Sequence, residues 1–186
     1  RYGTVTGVQT CALPISMGLR LLLDGVRVDA TDPGPEQQAI RAHLRPEPRV
    51  AFGHALGEAG LAHAMIDVSD GLAQDLAHLC EQSGVCAILD FECVPVADAV
   101  RRLAATEDDA FELAARGGED YELLFTAPPE HEAALHALAN EHDLPLARIG
   151  EIVAPGDGSL LRLRRAGDLK PVSIRGFDHF PTTPAV

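Results

Sequence analysis

Three polar side chains in the run DVSDG, at residues 67–71, are the residues best suited to chemistry. Asp67 and Asp70 offer two carboxylates, and Ser69 places a hydroxyl between them. Mg²⁺ in proteins takes one or two carboxylates and completes its coordination with waters and phosphate oxygens. A helix that begins here would add N–H groups and the positive end of its dipole. The run therefore predicts a site for a divalent cation and a phosphate. The alternative is a helix capped by Ser69 or Asp70 beside a solvated Asp67.

Two further runs combine acidic or aromatic residues with glycine. In GGEDYELLF, at residues 117–125, two glycines allow a tight turn, and Glu119 and Asp120 follow before an apolar strand. A turn with solvated acids is the plainer interpretation of this run. In RGFDHF, at residues 175–180, Phe177 and Phe180 stand near the end of a chain that is only 4% aromatic. They predict either a docked tail or a lid over a planar ligand.

The elements around DVSDG predict how its side chains are positioned. The apolar residues 62–68 predict a buried strand, and apolar residues at i, i+4, i+7 and i+8 from Leu72 predict one face of a helix. Gly84 stands at the expected end of that helix, and residues 85–89 predict a second strand. Together they predict a β–α–β unit with a parallel strand pair, with DVSDG at its first junction. We expect Asp75, one turn into the helix, to be solvated.

The remaining chain alternates helices with short strands, which predicts an α/β (α+β-like) layer fold. The predicted helices are at residues 17–24, 36–43, 50–58, 96–104, 109–115 and 128–142, and the further strands are at 121–126, 147–153 and 161–164.

The composition excludes some classes of function. The chain has 186 residues with a formal net charge of −13, and nucleic-acid binding requires a basic face, so we expect no nucleic-acid partner. No apolar run is long enough for a membrane helix, so we expect no membrane association and a cytoplasmic location. The four cysteines lack CxxC spacing, and free thiols are the expectation.

Five motifs occur in a fixed order: RPEPRVAFG, MIDVSDGLAQDLAHLCEQSGV, GGEDYELLFT, RIGEI and GFDHF. The set closely resembles the carboxy-terminal domain of thiamine-monophosphate kinases, which belong to the aminoimidazole ribonucleotide synthetase-like superfamily. The resemblance runs from Met17 to Phe180 without a large gap, and GGEDYELLF with GFDHF points to the thiamine branch. It implies a mixed β-sheet flanked by helices.

The resemblance also implies an activity, the ATP-dependent phosphorylation of thiamine monophosphate to thiamine diphosphate. Carried over by motif position, Asp67 and Asp70 would be Mg²⁺ ligands and Ser69 would contact ATP. Glu119 would bind the substrate, through its aminopyrimidine, and Phe177 would pack against the thiamine rings. Such a site acts by positioning and by neutralising charge, so no catalytic base is assigned.

Two other functions stay open from the sequence. One is another ATPase of the same superfamily, such as a hydrogenase-maturation relative. The other is a noncatalytic module whose acidic loop holds a metal or a partner.

The first 16 residues, RYGTVTGVQTCALPIS, predict neither a good helix nor a paired strand. They resemble the translation of sequencing-adapter read-through, and we expect a non-native leader at residues 1–16 and the carboxy-terminal kinase domain at residues 17–186. In relatives, an amino-terminal domain supplies further aspartates and the dimer contact. We expect that domain to be absent here and the fragment to be inactive alone, whereas the resemblance implies a homodimer for the full-length family member.

Overall fold

The computed structural model of the chain describes residues 4–8, 14–29, 31–156 and 158–172. Within these ranges, the strands form one mixed sheet and helices pack on it, which confirms the predicted fold class. The strands are β1 Thr4–Val8, β2 Ala64–Asp67, β3 Cys86–Asp90, β4 Leu123–Ala127, β5 Ala147–Val153, β6 Leu161–Arg165 and β7 Asp168–Pro171. The helices are α1 Pro14–Leu23, α2 Pro35–Leu44, α3 Val50–Ala59, α4 Leu72–Ser83, α5 Asp98–Leu103, α6 Glu107–Arg116 and α7 Glu132–Glu141.

The strand order is β2-β4-β1-β5-β3-β6-β7, and it corrects the predicted parallel pair. Strands β2 and β3 point the same way, because four successive antiparallel pairings separate them, but they are not neighbours. Among the described strand pairings, the parallel neighbour of β3 is β6. Strand β2 lies at the sheet edge and is alternately half-buried and exposed, so the prediction of a buried strand is wrong. A short apolar run does not specify which distant strands will lie beside it.

Strand β1 corrects the expected secondary structure of residues 1–16, whereas the expectation of a non-native leader stays a prediction. Thr4–Val8 pairs antiparallel with β4 on one side and with β5 on the other, and α1 begins at Pro14. The prediction that this segment forms neither a helix nor a paired strand is therefore wrong for its described residues. The β-branched residues of TVTGV suit a strand, but this strand has partners only because it lies between β4 and β5 in the folded sheet.

The core lies on both faces of the sheet. In β4, Leu124 packs in a cluster with α4 and α6, whereas its neighbour Phe125 packs with Phe52 of α3 and Leu135 of α7. Successive side chains of a strand point to opposite faces, so helices cover the sheet on each side. None of the described helices is long and apolar enough to cross a membrane.

Candidate functional site

Two acidic loops lie together at one end of the β2–β4 pair. The first, residues 67–71, begins with the last residue of β2 and leads into α4, and the second, residues 117–122, joins α6 to β4. Strands β2 and β4 are antiparallel, with Asp67 opposite Leu123, so the end of one meets the start of the other. We refer to these two segments as the paired loops.

Backbone hydrogen bonds hold the paired loops together. The N–H of Val68 donates to the Glu122 carbonyl at 2.8 Å, and the N–H of Tyr121 donates to the Val68 carbonyl at 2.8 Å. The N–H of Glu119 donates to the Ser69 carbonyl, also at 2.8 Å. Glu119 and Tyr121 have left-handed backbones, with φ of 67° and 53°, which non-glycine residues seldom adopt. The structure therefore brings the DVSDG and GGEDYE motifs into one site.

Two glycines permit this close approach. A Cβ on Gly118 would lie 2.5 Å from the Ser69 carbonyl oxygen, too close for any side chain. Gly71 has φ of 117°, and a Cβ there would lie 3.0 Å from the Arg116 carbonyl oxygen. Gly118 is needed because backbone of the first loop fills the space of a side chain, and Gly71 is needed because of its positive φ and the nearby backbone of residues 116 and 117.

The predicted metal ligands lie at the junction of β2 and α4. Asp67, the last residue of β2, is exposed, and Ser69 and Asp70 are half-buried. The side-chain amide of Gln74 lies 3.5 Å from Asp70 Oδ2. The described residues contain no group of three or more His, Cys, Asp or Glu side chains placed to hold a metal ion. Two carboxylates and a hydroxyl fit Mg²⁺ only as part of a shell that phosphate oxygens and other ligands complete.

The start of α4 differs from the predicted cap. Its N-cap residue is Gly71 and not Ser69 or Asp70, and no side chain caps it from that position. Instead, Asp75 Oδ2 accepts the N–H groups of Ser69, Asp70 and Gly71 at 3.0, 3.1 and 3.2 Å. Asp75 is buried, so the prediction that it is solvated is wrong. Burial raises the pKa of the Asp75 carboxyl, and the three N–H donors oppose that rise.

Asp120 is the least satisfied acid of the site. Its side chain is only 6% exposed, and its Oδ2 is one of two buried side-chain atoms in the described part of the chain with no hydrogen-bond partner. Burial, together with the nearby charges of Glu122 and Asp75, raises the pKa of Asp120 to about 9. The group is therefore a neutral acid at neutral pH.

Glu122 is held by an arginine from the RPEPR motif. Arg49, at the N-cap of α3, donates from Nε to Glu122 Oε2 at 3.0 Å and from Nη2 to Oε1 at 2.9 Å. Both side chains are largely buried, and this hydrogen bonding raises the pKa of Arg49. The ion pair thus joins a third motif to the paired loops.

The other predicted site residues differ in what the structure says of them. Glu119 is exposed on the second loop, beside Ser69, whereas Phe177 lies outside the described residues. Asp75, Asp120 and the Arg49–Glu122 pair were not predicted from the sequence to belong to the site. An acid in the first turn of α4 was the available signal for Asp75, since acids there can bind free N–H groups. No local pattern points to the other contacts.

Several proteins of known structure or activity are similar to this chain. The thiamine-monophosphate kinase of Haemophilus influenzae is 40% identical over 166 residues, which cover 87% of this chain and 47% of that protein. The crystal structure of thiamine-monophosphate kinase from Stenotrophomonas maltophilia is 37% identical with a TM-score of 0.75, covering 87% of this chain and 49% of that one. AaThiL complexed with AMPPCP and TMP is 30% identical with a TM-score of 0.76, covering 97% and 52%.

This chain spans about half the length of the curated relatives that it matches. The family model described as AIR synthase related protein, C-terminal domain, matches residues 19–162, which include both paired loops and the Arg49–Glu122 pair. The chain therefore belongs to the family of AIR synthase related proteins, through their C-terminal domain.

Proposed function

We propose that this chain contributes the carboxy-terminal part of a thiamine-phosphate kinase site, which transfers the γ-phosphoryl group of ATP to thiamine monophosphate. The observation that carries the proposal is the joining of the two acidic loops at one end of β2 and β4. The similarity to thiamine-monophosphate kinases over 87% of the chain supports the choice of substrate. AaThiL, a relative with 30% identity, was solved with AMPPCP and TMP, which supports a nucleotide and a phosphorylated second ligand.

In this proposal, each loop has its own task. Asp67 and Asp70 hold Mg²⁺ on the first loop, and Ser69 contacts ATP beside them. When bound, Mg²⁺ neutralises the charge of the phosphates between which the phosphoryl group moves. Glu119 binds thiamine monophosphate from the second loop. The left-handed backbone of Glu119 and its hydrogen bond to Ser69 support this placement, because they fix the substrate residue beside the nucleotide residue.

Other parts of the proposal rest on the resemblance alone. Phe177, outside the described residues, is expected to pack against the thiamine rings. The cytoplasmic location and the homodimer of the full-length family member also stay predictions. No catalytic base is proposed, since positioning and charge neutralisation are the main requirements of phosphoryl transfer.

A fusion tests the proposal. The amino-terminal half of the Haemophilus influenzae relative would be joined ahead of this chain, with β1 or an equivalent strand retained. Thiamine diphosphate and ADP would then be measured after incubation with ATP, Mg²⁺ and thiamine monophosphate. We expect the fusion to form both products and the separate chain to form neither. A fusion that hydrolyses ATP but forms no thiamine diphosphate would contradict the substrate. Turnover by the separate chain, free of host kinase, would contradict the half-site.

A further inference from the structure

Three consecutive backbone N–H groups of the first loop point at one side-chain oxygen. Ser69, Asp70 and Gly71 all donate to Asp75 Oδ2, over distances of 3.0 to 3.2 Å. The backbone N–H of Asp75 donates in turn to the Gly71 carbonyl at 2.9 Å. Asp75 therefore holds the loop through its side chain and its backbone at once.

A concave run of N–H groups ahead of a helix is a common binding place for an external anion such as phosphate. Here, Asp75 Oδ2 already accepts the three N–H groups that an external anion would otherwise bind. Asp75 is only 2% exposed, so water does not readily replace it. Any acceptor oxygen at the position of Oδ2 can accept these three N–H groups, and an ionised carboxylate accepts them more strongly than a neutral oxygen does.

We propose that Asp75 is a positioning residue that closes the amides of residues 69–71 to phosphate and fixes the loop that carries Asp67 and Asp70. The inference rests on the proposed function for the identity of the ligand, a phosphate compound. The inference itself specifies which groups of the first loop contact that ligand. Phosphate groups reach the first loop through a cation on Asp67 and Asp70 and through the Ser69 hydroxyl, and not through the loop amides.

Amide-resolved NMR on the full 186-residue chain tests this inference without any assay of activity. Hydrogen exchange and chemical shifts of residues 69–71 would be followed while inorganic phosphate is added in the absence of divalent cations. The variants are Asp75→Ala, which removes the acceptor, and Asp75→Asn, which keeps a carbonyl oxygen. The matched control is Asp109→Ala, because Asp109 also accepts one backbone N–H, that of Ala105 at 3.1 Å, in the first turn of a helix.

We expect the unmodified chain and Asp75→Asn to show no saturable phosphate response at residues 69–71. In Asp75→Ala, exchange of these three amides should be at least about tenfold faster, and phosphate should shift them saturably. Asp109→Ala should change exchange at Ala105 and leave residues 69–71 as they are.

A saturable phosphate response in the unmodified chain would overturn the inference, and so would the same response with and without Asp75. If Asp75→Ala does not fold, the unmodified chain and Asp75→Asn still decide the question. Because no step measures phosphoryl transfer, the result stands whether or not the fusion proves to be a thiamine-phosphate kinase.

Discussion

At the scale of single residues, the acids of the paired loops differ in what surrounds them. Asp67 is exposed and Asp70 half-buried, so both can reach an external cation. Asp75 accepts hydrogen bonds from three backbone N–H groups, and Glu122 forms an ion pair with Arg49. Asp120 is buried, and its Oδ2 has no partner. The site therefore separates acids that can meet a ligand from acids that shape the loops.

The two accessible acids give the first prediction. In the fusion, Asp67→Asn and Asp70→Asn should each lower activity by about tenfold or more, with partial recovery at higher Mg²⁺, because each removes a charge that holds the cation. Activity would be measured against Mg²⁺ concentration. Asp24→Asn, at the exposed residue that follows α1, is the control for loss of an aspartate. An unchanged Mg²⁺ dependence in both site variants would reduce the pair to a strand end and a loop acid.

Asp120 gives a prediction about stability and pH. Its pKa is about 9 in the folded chain against 3.8 as the ordinary value, so the folded state binds the extra proton between these pH values. The free energy of unfolding that this group contributes must then fall as pH rises from about 4 to about 9. Asp120→Asn cannot titrate, so its stability relative to the unmodified chain should increase across that window.

At the alkaline end of this window, the free energy of unfolding of Asp120→Asn should exceed that of the unmodified chain by roughly 1–3 kcal/mol. The reason is that the variant has no buried carboxyl group at residue 120 that must stay neutral or ionise beside Glu122. Urea unfolding of both proteins at several pH values measures it, with Asp24→Asn as the control. Parallel pH profiles for Asp120→Asn and the unmodified chain would show that Asp120 titrates normally.

At the scale of elements, the Arg49–Glu122 pair connects α3 to the paired loops. The two residues are 73 positions apart, and both of their charged groups are largely removed from water. Arg49→Met should destabilise the chain by about 3–5 kcal/mol, because it leaves the Glu122 carboxylate buried without this partner and near Asp120. The double variant Arg49→Met/Glu122→Met should cost less than the sum of the two single changes.

Urea unfolding in a double-mutant cycle measures this coupling. The control is the ion pair between Arg116 and Glu112, 2.7 Å apart on the surface of α6, for which a coupling under about 1 kcal/mol is expected. Equal coupling at the two pairs would mean that burial of Arg49 and Glu122 has no energetic consequence.

At the scale of the whole molecule, β1 joins two parts of the sheet. It is the strand between β4, which carries β2, and β5, which leads to β3, β6 and β7. Without β1, the facing edges of β4 and β5 would lack the backbone partners that they have in this structure. The sheet of this structure therefore includes part of the segment for which a non-native leader was predicted, and that prediction stays open.

Deleting residues 1–13 should abolish cooperative thermal unfolding, or lower the melting temperature strongly, because it opens the middle of the sheet. Val5→Pro should act in the same direction, since proline removes a backbone donor from a strand paired on both sides. Val5→Thr keeps the donor and a β-branched side chain and is the control. Circular dichroism melts compare the variants. An unchanged melt after the deletion would instead favour a non-native leader that adds nothing to the fold.

The sequence alone determined the features that depend on neighbours along the chain. The apolar period from Leu72 and the glycine at 84 defined α4, whose Gly84 cap has φ of 62°. Alternating helices and short strands indicated the α/β (α+β-like) layer fold, and the ordered motifs indicated the family and, through it, the mixed sheet. These signals are local because a helix face or a cap is formed by residues within a turn or two. The roles of Asp67, Ser69, Asp70, Glu119 and Phe177 remain predictions.

The tertiary structure decided which distant segments meet. The runs DVSDG and GGEDYE form one site only because β2 and β4 are paired. The residues of each strand do not indicate which other strand it will pair with. Asp75 was expected to be solvated, but it is buried and accepts three N–H groups of the first loop. Residues 4–8 became a strand because β4 and β5 stand one strand apart. Burial and pairing depend on neighbours in space, and a single sequence specifies those neighbours only through the whole fold.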